Sequence, residues 1–407
     1  MLLPRLAYRN ILRQRRRSLL TALSMGGGYL LACFAISLSW GTWGQLVELV
    51  TRDHSGHIQI HSGNYLNRPK MYKTITTDGE IERVLEANED VVSYSRRVHS
   101  SALAYGDDRT TPVVVVGIDI AREVKTSQIG NKVKIGSFIT NGPNQDGYYS
   151  ALIGFGVADS LSLEPDDEIV LITEGADGSI ANDIYLVAGI VGTKTSWEMN
   201  RVFLPLKAAQ EFLSMSGRVH EYAILIEDTY ESEEIAADLQ NTISTPDVTV
   251  SPWQKVEETF YNSMRIDQQA MYIMLGVIIF MVCIGVLNTV LMSVLERTRE
   301  FGVLRSIGTN PWRIMSLIFL ESTILAILSC GIGFVFSVPL ITWFAFVGIQ
   351  MPPMDVGGVI AESMVGEYSL FVFVAPLIIV VTAAALVSIP PGIRAARITP
   401  VAALGSH

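Results

Sequence analysis

"QQAMYIMLGVIIFMVCIGVLNTVLMSVLERTREFGVLRSIG", residues 268–308, is the stretch on which the fold turns. From Gln268 to Leu295 it contains no Asp, Glu, Lys or Arg, and it exceeds the about 20 residues that cross a bilayer as helix. Residues 18–47, 322–354 and 368–393 are equally free of charge. Four transmembrane helices follow. With 49% hydrophobic residues in 407, the chain reads as a membrane protein rather than as two or three soluble domains.

Charge placement orients the spans. Arg5, Arg9, Arg13, Arg15, Arg16 and Arg17 precede the first; Arg297, Arg299, Arg305 and Arg313 lie between the second and third; Arg394 and Arg397 follow the fourth. The connection between the third and fourth carries only Asp355, Glu362 and Glu367. Cytoplasmic segments collect Arg and Lys, so both termini and the second connection are expected in the cytoplasm and the hydrophilic segment 48–267 outside. The net charge of −10, with basic residues confined to short clusters beside spans, gives no reason for a nucleic-acid partner. The expected organisation is a cytoplasmic amphipathic elbow helix over 1–17, built on Leu2, Leu3, Leu6 and Ile11, and a first span with its outward extension over 18–47. An external α+β domain follows over 48–267, then a second span over 268–295, a cytoplasmic loop with a short helix over 296–313 and a third span over 314–350. A short external loop over 351–367, a fourth span over 368–393 and a cytoplasmic tail over 394–407 complete it.

Within the external segment, runs rich in Val and Ile at 111–119, 167–174, 184–193 and 221–228 predict strands. Helices are predicted from Thr77, with Glu80 three residues on as a capping box, from Pro205 as a first-turn proline, and over 231–243. The turn-rich "TNGPNQDG", 140–147, suggests an internal boundary between two subdomains. In "DHSGHIQIHSGNY", 53–65, Ile58 and Ile60 alternate with His57, Gln59 and His61. That period of two predicts a half-buried strand whose imidazoles face water rather than a metal site, and a His57→Ala/His61→Ala chain that is nearly unimpaired.

Cys33, Cys283 and Cys330 all fall inside spans, so no disulfide framework is expected. "LLAC", 30–33, mimics a lipoprotein cleavage box, but apolar sequence continues past it and an uncleaved anchor is expected. The closing "GSH", 405–407, reads either as native sequence or as the remnant of a purification tag. No Gly-x4-Gly-Lys-Ser/Thr phosphate loop, His-Glu-x2-His helix or Gly-x-Ser-x-Gly elbow occurs, so no enzyme is expected in this chain. Gly26, Gly27 and Gly28 in the first span invite close helix packing. Glu321, beside an apolar run, is expected to pair with an arginine of the preceding loop, Arg313 being near in sequence.

"LERTREFGVLRSIGTNPWRIMSLIFLES", 295–322, with "AYRNILRQRRRSLLTAL" near the start and "AARITPVAAL" near the end, resembles ABC-transporter permeases of the lipoprotein-releasing, macrolide-exporter and FtsX-like group. The shared Glu-Arg-x2-Glu-Ile-Gly-x-Leu-Arg-Ala-x-Gly segment maps onto Glu296, Arg297, Glu300, Gly302, Leu304, Arg305 and Gly308, with Phe301 and Ser306 in place of Ile and Ala. "GHIQIHSGNY", "ALIGFGVADSLSLEPDDEIVLI" and "VAGIVGTKTSWEMNRVFLPLKAAQEFL" are similar to the external domain of the lipoprotein-releasing LolC/LolE type, although no counterpart of its proline-tipped chaperone-recruiting hook is recognisable. The resemblance implies a bacterial inner-membrane permease that dimerises, with an identical chain or a paralogue, around a cytoplasmic pair of ABC ATPase subunits. Those partners would bind the ATP and Mg, and this chain would hold no cofactor. It assigns ATPase coupling to Glu296, Arg297, Glu300, Gly302, Arg305 and Gly308. It also implies a lipoprotein or lipid-like cargo passing Trp43, Leu46, Phe260, Tyr261, Met264 and Met271, contact with membrane lipids, and a periplasmic protein or adaptor as a further partner. Peptide or drug efflux with an adaptor, and FtsX-like signalling without transport, remain as alternatives.

A single cysteine placed at Asp107, in a chain whose native cysteines lie in spans, is expected to react with a membrane-impermeant maleimide only from outside. Labelling from the cytoplasmic side alone would overturn this topology.

Overall fold

A computed structural model describes residues 15–77, 79–106, 108–356 and 359–398. The expected elbow, up to residue 14, and the tail from 399 lie outside the described residues. The chain divides into two units, one of Met1–Gly44, Met264–Gln350 and Ser363–His407, the other of Gln45–Ser263 with Met351–Glu362.

The first unit is helical. Helices α1 (Arg15–Val50), α2 (Glu258–Glu296), α3 (Thr298–Ser306), α4 (Pro311–Phe346), α5 (Leu370–Val387) and α6 (Ile389–Ala396) follow in order. Among the described residues, four helical stretches, Leu19–Ser55, Glu258–Glu296, Pro311–Phe346 and Leu370–Ala396, are long and apolar enough to cross a membrane. Of the three glycines of α1, Gly26 and Gly28 allow the close packing that the sequence suggests, whereas a Cβ on Gly27 would meet nothing within 4 Å among the described residues. A Cβ on Gly26 would stand 2.8 Å from the Ser329 carbonyl oxygen, and one on Gly333 would stand 2.6 Å from that of Gly26. Only hydrogen side chains allow α1 and α4 this approach. Met25, Tyr29, Cys33 and Ile36 of α1 pack with Val282 and Val286 of α2, Cys330 of α4 and Val380 of α5 into one core. Tyr29 donates its hydroxyl hydrogen to the Phe373 carbonyl at 3.1 Å, and Thr21 donates to Thr289 at 3.0 Å. Cys33 is fully buried in mid-helix.

The second unit is α+β, built on one ten-stranded sheet. Its strands are β1 (Ile58–Ser62), β2 (Val91–Gly106), β3 (Arg109–Ile118), β4 (Val133–Gly136), β5 (Ser150–Gly154), β6 (Glu168–Glu174), β7 (Ile180–Val191), β8 (Arg201–Pro205), β9 (Glu221–Ile226) and β10 (Val248–Pro252). They lie in the order β10-β1-β9-β2-β3-β8-β5-β7-β4, with β6 bridging β2 and β7. The β3–β8 and β5–β7 pairs are parallel. The turn at 140–147 connects β4 to β5 of this one sheet and therefore separates no subdomains. The helix Glu80–Ala87 starts after Gly79 at φ +83° without a capping box. The Glu80 carboxylate instead accepts from the Ser244 amide and the Thr245 hydroxyl, at 3.1 and 3.0 Å. The segment expected as external loop holds paired strands, Ile349–Val356 and Val359–Met364.

Strand β1 corrects the reading of the histidines. It lies between β9 and β10, and both of its faces are covered. Ile58 and Ile60 are fully buried, but so are His57, Gln59 and His61, at 1, 5 and 2% exposure. Alternation reports half-burial only where one sheet face is wet. Here the polar face is a hydrogen-bonded interior. The His57 Nδ1 lies 3.0 Å from the Ile226 carbonyl; His61 reaches the His220 carbonyl at 3.1 Å and Gln59 Oε1 at 2.8 Å; and Tyr65 stacks against both His61 and His220 at 5.2 Å. The expected tolerance of His57→Ala/His61→Ala therefore gives way to its opposite. Two buried cavities and their unpaired partners should cost about 2–5 kcal/mol together. Urea titration of the full chain in detergent, followed by tryptophan fluorescence, measures this, and an unchanged midpoint would restore the water-facing strand.

Candidate functional site

In the first unit the distinctive feature is α3. Its backbone turns out of the helix through Gly308 at φ +87°. The Gly308 amide bonds to the Arg305 carbonyl at 3.1 Å and the Thr309 amide to the Leu304 carbonyl at 3.0 Å. This paired closure is the Schellman arrangement, and it needs a left-handed residue that only glycine supplies without strain. One side of α3 is buried through Phe301, at 1% exposure, and Gly302. Phe301 joins the same core as Val294 of α2, Ile314 of α4 and Ala395 of α6, a burial worth about 2–3 kcal/mol.

Arg297 opens α3. Its Nε donates to Glu300 at 2.8 Å, its Nη1 donates to Glu321 of α4 at 3.2 Å, and its guanidinium lies 5.3 Å from the Phe301 ring centre. Glu321 thus takes an arginine of the preceding loop, Arg297 rather than Arg313. Glu296 ends α2 and is exposed, as is Glu300. Arg305 is half-buried and donates from Nη1 to the Thr309 carbonyl at 3.2 Å. The outward side adds residues that the motif did not mark: Val303, Ile307 and Trp312, at 47, 74 and 69% exposure. Their apolar character is ordinary in the sequence, and only their solvent-facing placement makes them notable.

The residues expected along a cargo path divide between the units. Trp43, Met264 and Met271 belong to the first, and Leu46, Phe260 and Tyr261 to the second. Trp43 lies against Trp40 at 6.1 Å, whereas Phe260 and Tyr261 lie against Trp253 at 6.2 and 5.7 Å. Met271 is buried.

The second unit holds two internal charge networks that sequence periodicity left invisible. Arg97, 5% exposed at its side chain, donates to Glu123 at 2.6 Å and to Glu221 at 3.0 Å, and also to the His54 carbonyl. His99 approaches the other Glu221 oxygen at 3.2 Å. Burial alone would raise the Glu221 carboxyl, but the His99 hydrogen bond and the charges of His99, Arg97 and His61 hold it well below the usual carboxylate range. Burial works against the Arg97 charge as well, yet Glu123 and Glu221 keep it firmly protonated. Near Gly56, where a single π-helical turn Thr51–Ser55 ends, the Lys132 ammonium lies between Asp53 and Glu198, 2.6 Å from the latter. Most of these charged groups pair with one another, though the second Glu198 oxygen is buried without a hydrogen-bond partner, and such pairing holds charge inside a scaffold. Beside His99 opens a cavity of about 700 Å³ lined by Tyr65, Met71, Ser101, Thr173 and Glu174.

Known proteins share both halves of the chain. Residues 272–400 match the FtsX-like permease C-terminal family and residues 18–242 the MacB-like periplasmic core domain. The lipoprotein-releasing system transmembrane protein LolC of Xylella fastidiosa (strain Temecula1) is 24% identical over 253 residues, covering 60% of this chain and 59% of that one. The corresponding LolE of Haemophilus influenzae is 23% identical over 370 residues, covering 86 and 85%. Among solved structures, the periplasmic region of MacB from Actinobacillus actinomycetemcomitans is 13% identical, covering 54% of this chain and 98% of its own, at a TM-score of 0.38.

Burial pushes the His220 imidazole down to about 4, the ring standing between the His99 amide at 3.0 Å and the Met71 carbonyl at 3.0 Å. The folded chain keeps this ring neutral where an unfolded one, titrating near 6.5, takes a proton. Stability is therefore full above about pH 6.5 and falls as pH drops toward 4, by on the order of 3 kcal/mol from this group. Urea midpoints measured between pH 4.5 and 7 should fall with acidity in the native chain and more shallowly in His220→Gln. Equal slopes would remove His220 from the account.

Proposed function

We propose, for a chain that belongs to the MacB-like periplasmic core domain family and ends in an FtsX-like permease domain, that it is the permease of an ATP-driven ABC transporter in a bacterial inner membrane. ATP hydrolysis falls to a separate pair of cytoplasmic ATPase subunits, and a second permease chain completes the membrane part. The observation that carries this reading is the two-sided character of α3. It anchors Phe301 and Gly302 inward and offers Glu300, Val303 and Ile307 outward. An amphipathic short helix with a mixed charged and apolar outer face suits a cleft on a protein partner, where apolar anchors supply affinity and charge pairs fix register. Nucleotide-driven movement of that partner would reach α2, α4 and α6 through the Phe301 packing and the Arg297–Glu321 pair, because packed helices shift between discrete arrangements rather than deform smoothly.

The cargo we favour is a lipoprotein or a lipid-like molecule taken from the outer leaflet or the periplasm. The names of the LolC and LolE relatives support it, as does the aromatic and methionine content of the sequence beside the first two spans. Efflux with an adaptor and signalling without transport are separated from it by what copurifies with the complex. In the test, Glu300→Lys combined with Val303→Glu, both on the outer side of α3, should leave the permease inserted and folded. ATPase recovered by pull-down should drop at least tenfold. Normal recovery together with unchanged transport in cells would show that α3 is not the coupling element.

A further inference from the structure

We infer that the groove framed by the end of α3, the first turn of α4 and α6 binds the headgroup of an anionic phospholipid from the cytoplasmic leaflet. The groove has a volume of about 510 Å³ and is lined by Arg305, Trp312, Met315, Ile393 and Arg397 among others. Among the described residues its walls carry two guanidinium groups and no carboxylate. Arg297, about two turns earlier at the start of α3, has Glu300 and Glu321; among the described residues no carboxylate comes within ion-pair distance of Arg305 or Arg397. The Arg305 Nε is shielded from solvent and lacks an acceptor, although Nη1 of the same group is held by Thr309. A buried cationic donor without a partner is costly, and a phosphate oxygen is the ligand its planar fork fits. The Gly308 closure fixes the end of α3 and with it the Arg305 backbone.

The apolar part of the groove points to a lipid rather than to free phosphate. Trp312, Met315 and Phe319 recur on one face of α4, and Trp312 and Phe319 are 69 and 39% exposed. Trp312 stands in the first turn of α4, on the cytoplasmic side of its charge-free run from 322, and indoles favour the zone between headgroups and hydrocarbon. On α6, Ile393 and Arg397 are four residues apart and so neighbours on its surface. Charge at the mouth and an apolar stripe running on from it match a phosphate with its acyl chains, and basic pockets at the cytoplasmic ends of spans take such headgroups. Nothing in this depends on an ATPase, so the experiment stands apart from that of the coupling helix.

The full chain in detergent is mixed with equal amounts of phosphatidylglycerol and phosphatidylcholine of matched acyl chains, and bound lipid is read by native mass spectrometry. Phosphatidylglycerol should be retained about tenfold over phosphatidylcholine. Arg305→Gln with Arg397→Gln should abolish that preference, Arg305→Lys with Arg397→Lys should keep most of it, and Arg313→Gln, off the groove, should leave it intact. Arg397→Glu alone alters only an exposed side chain, so it should lower retention without disturbing the fold. Equal retention of the two lipids, an unaltered preference in Arg397→Glu, or displacement of phosphatidylglycerol by millimolar inorganic phosphate would each overturn the lipid assignment.

Discussion

Helices inside hydrocarbon gain little by hiding apolar surface from one another, because lipid tails are as apolar as leucine; they associate where backbones can come close. In this chain that condition is met at Gly26 and Gly333, where α1 and α4 touch through main-chain atoms. The rest of the helical unit is arranged about this contact. Of the four spans α1 is the most enclosed, and the hydroxyls of Thr21 and Tyr29 find partners on α2 and α5. Replacing either glycine by a larger residue would separate the two backbones and remove the support on which the Cys33, Val286 and Cys330 packing depends.

The external unit solves a different problem, that of holding charge in an interior. Strand β1 carries polar groups on a face that another protein would fill with valine, and β2 and β9 bring Arg97 and Glu221 to the same side. Removing one member of such a network leaves its partner buried and unpaired, which costs more than the network contributes when complete. The consequence is register. A one-residue slip of β1 against β9 would exchange Ile58 and Ile60 for His57 and His61 and strand every one of these groups.

Helix α3 joins two requirements that usually separate. Phe301 and the Arg297–Glu321 pair make it part of the helical core, while Val303 and Ile307 stay exposed on its other side. Gly308 permits both, since a tight left-handed exit starts α4 at Pro311 with Asn310 capping the Trp312 amide at 3.0 Å.

The four spans are legible in the order of residues, because absence of charge over twenty or more of them admits one solution in a bilayer, and so is α3, because charged residues and a terminal glycine between spans are a local signal. The same order shows that the external segment mixes strands and helices, since Val- and Ile-rich runs alternate with capped polar ones. Which strand faces are wet depends on segments far apart in the chain. Alternation at His57, Gln59 and His61 is the same pattern whether the polar side meets water or Glu221, and Glu221 lies 160 residues further along the chain or more. Sequence distance likewise hid the pairing of Lys132 with Asp53 and Glu198, and the gathering of Arg305, Trp312 and Arg397 around one groove. Local periodicity reports what a residue's neighbours along the chain are. What lies opposite it is settled by packing.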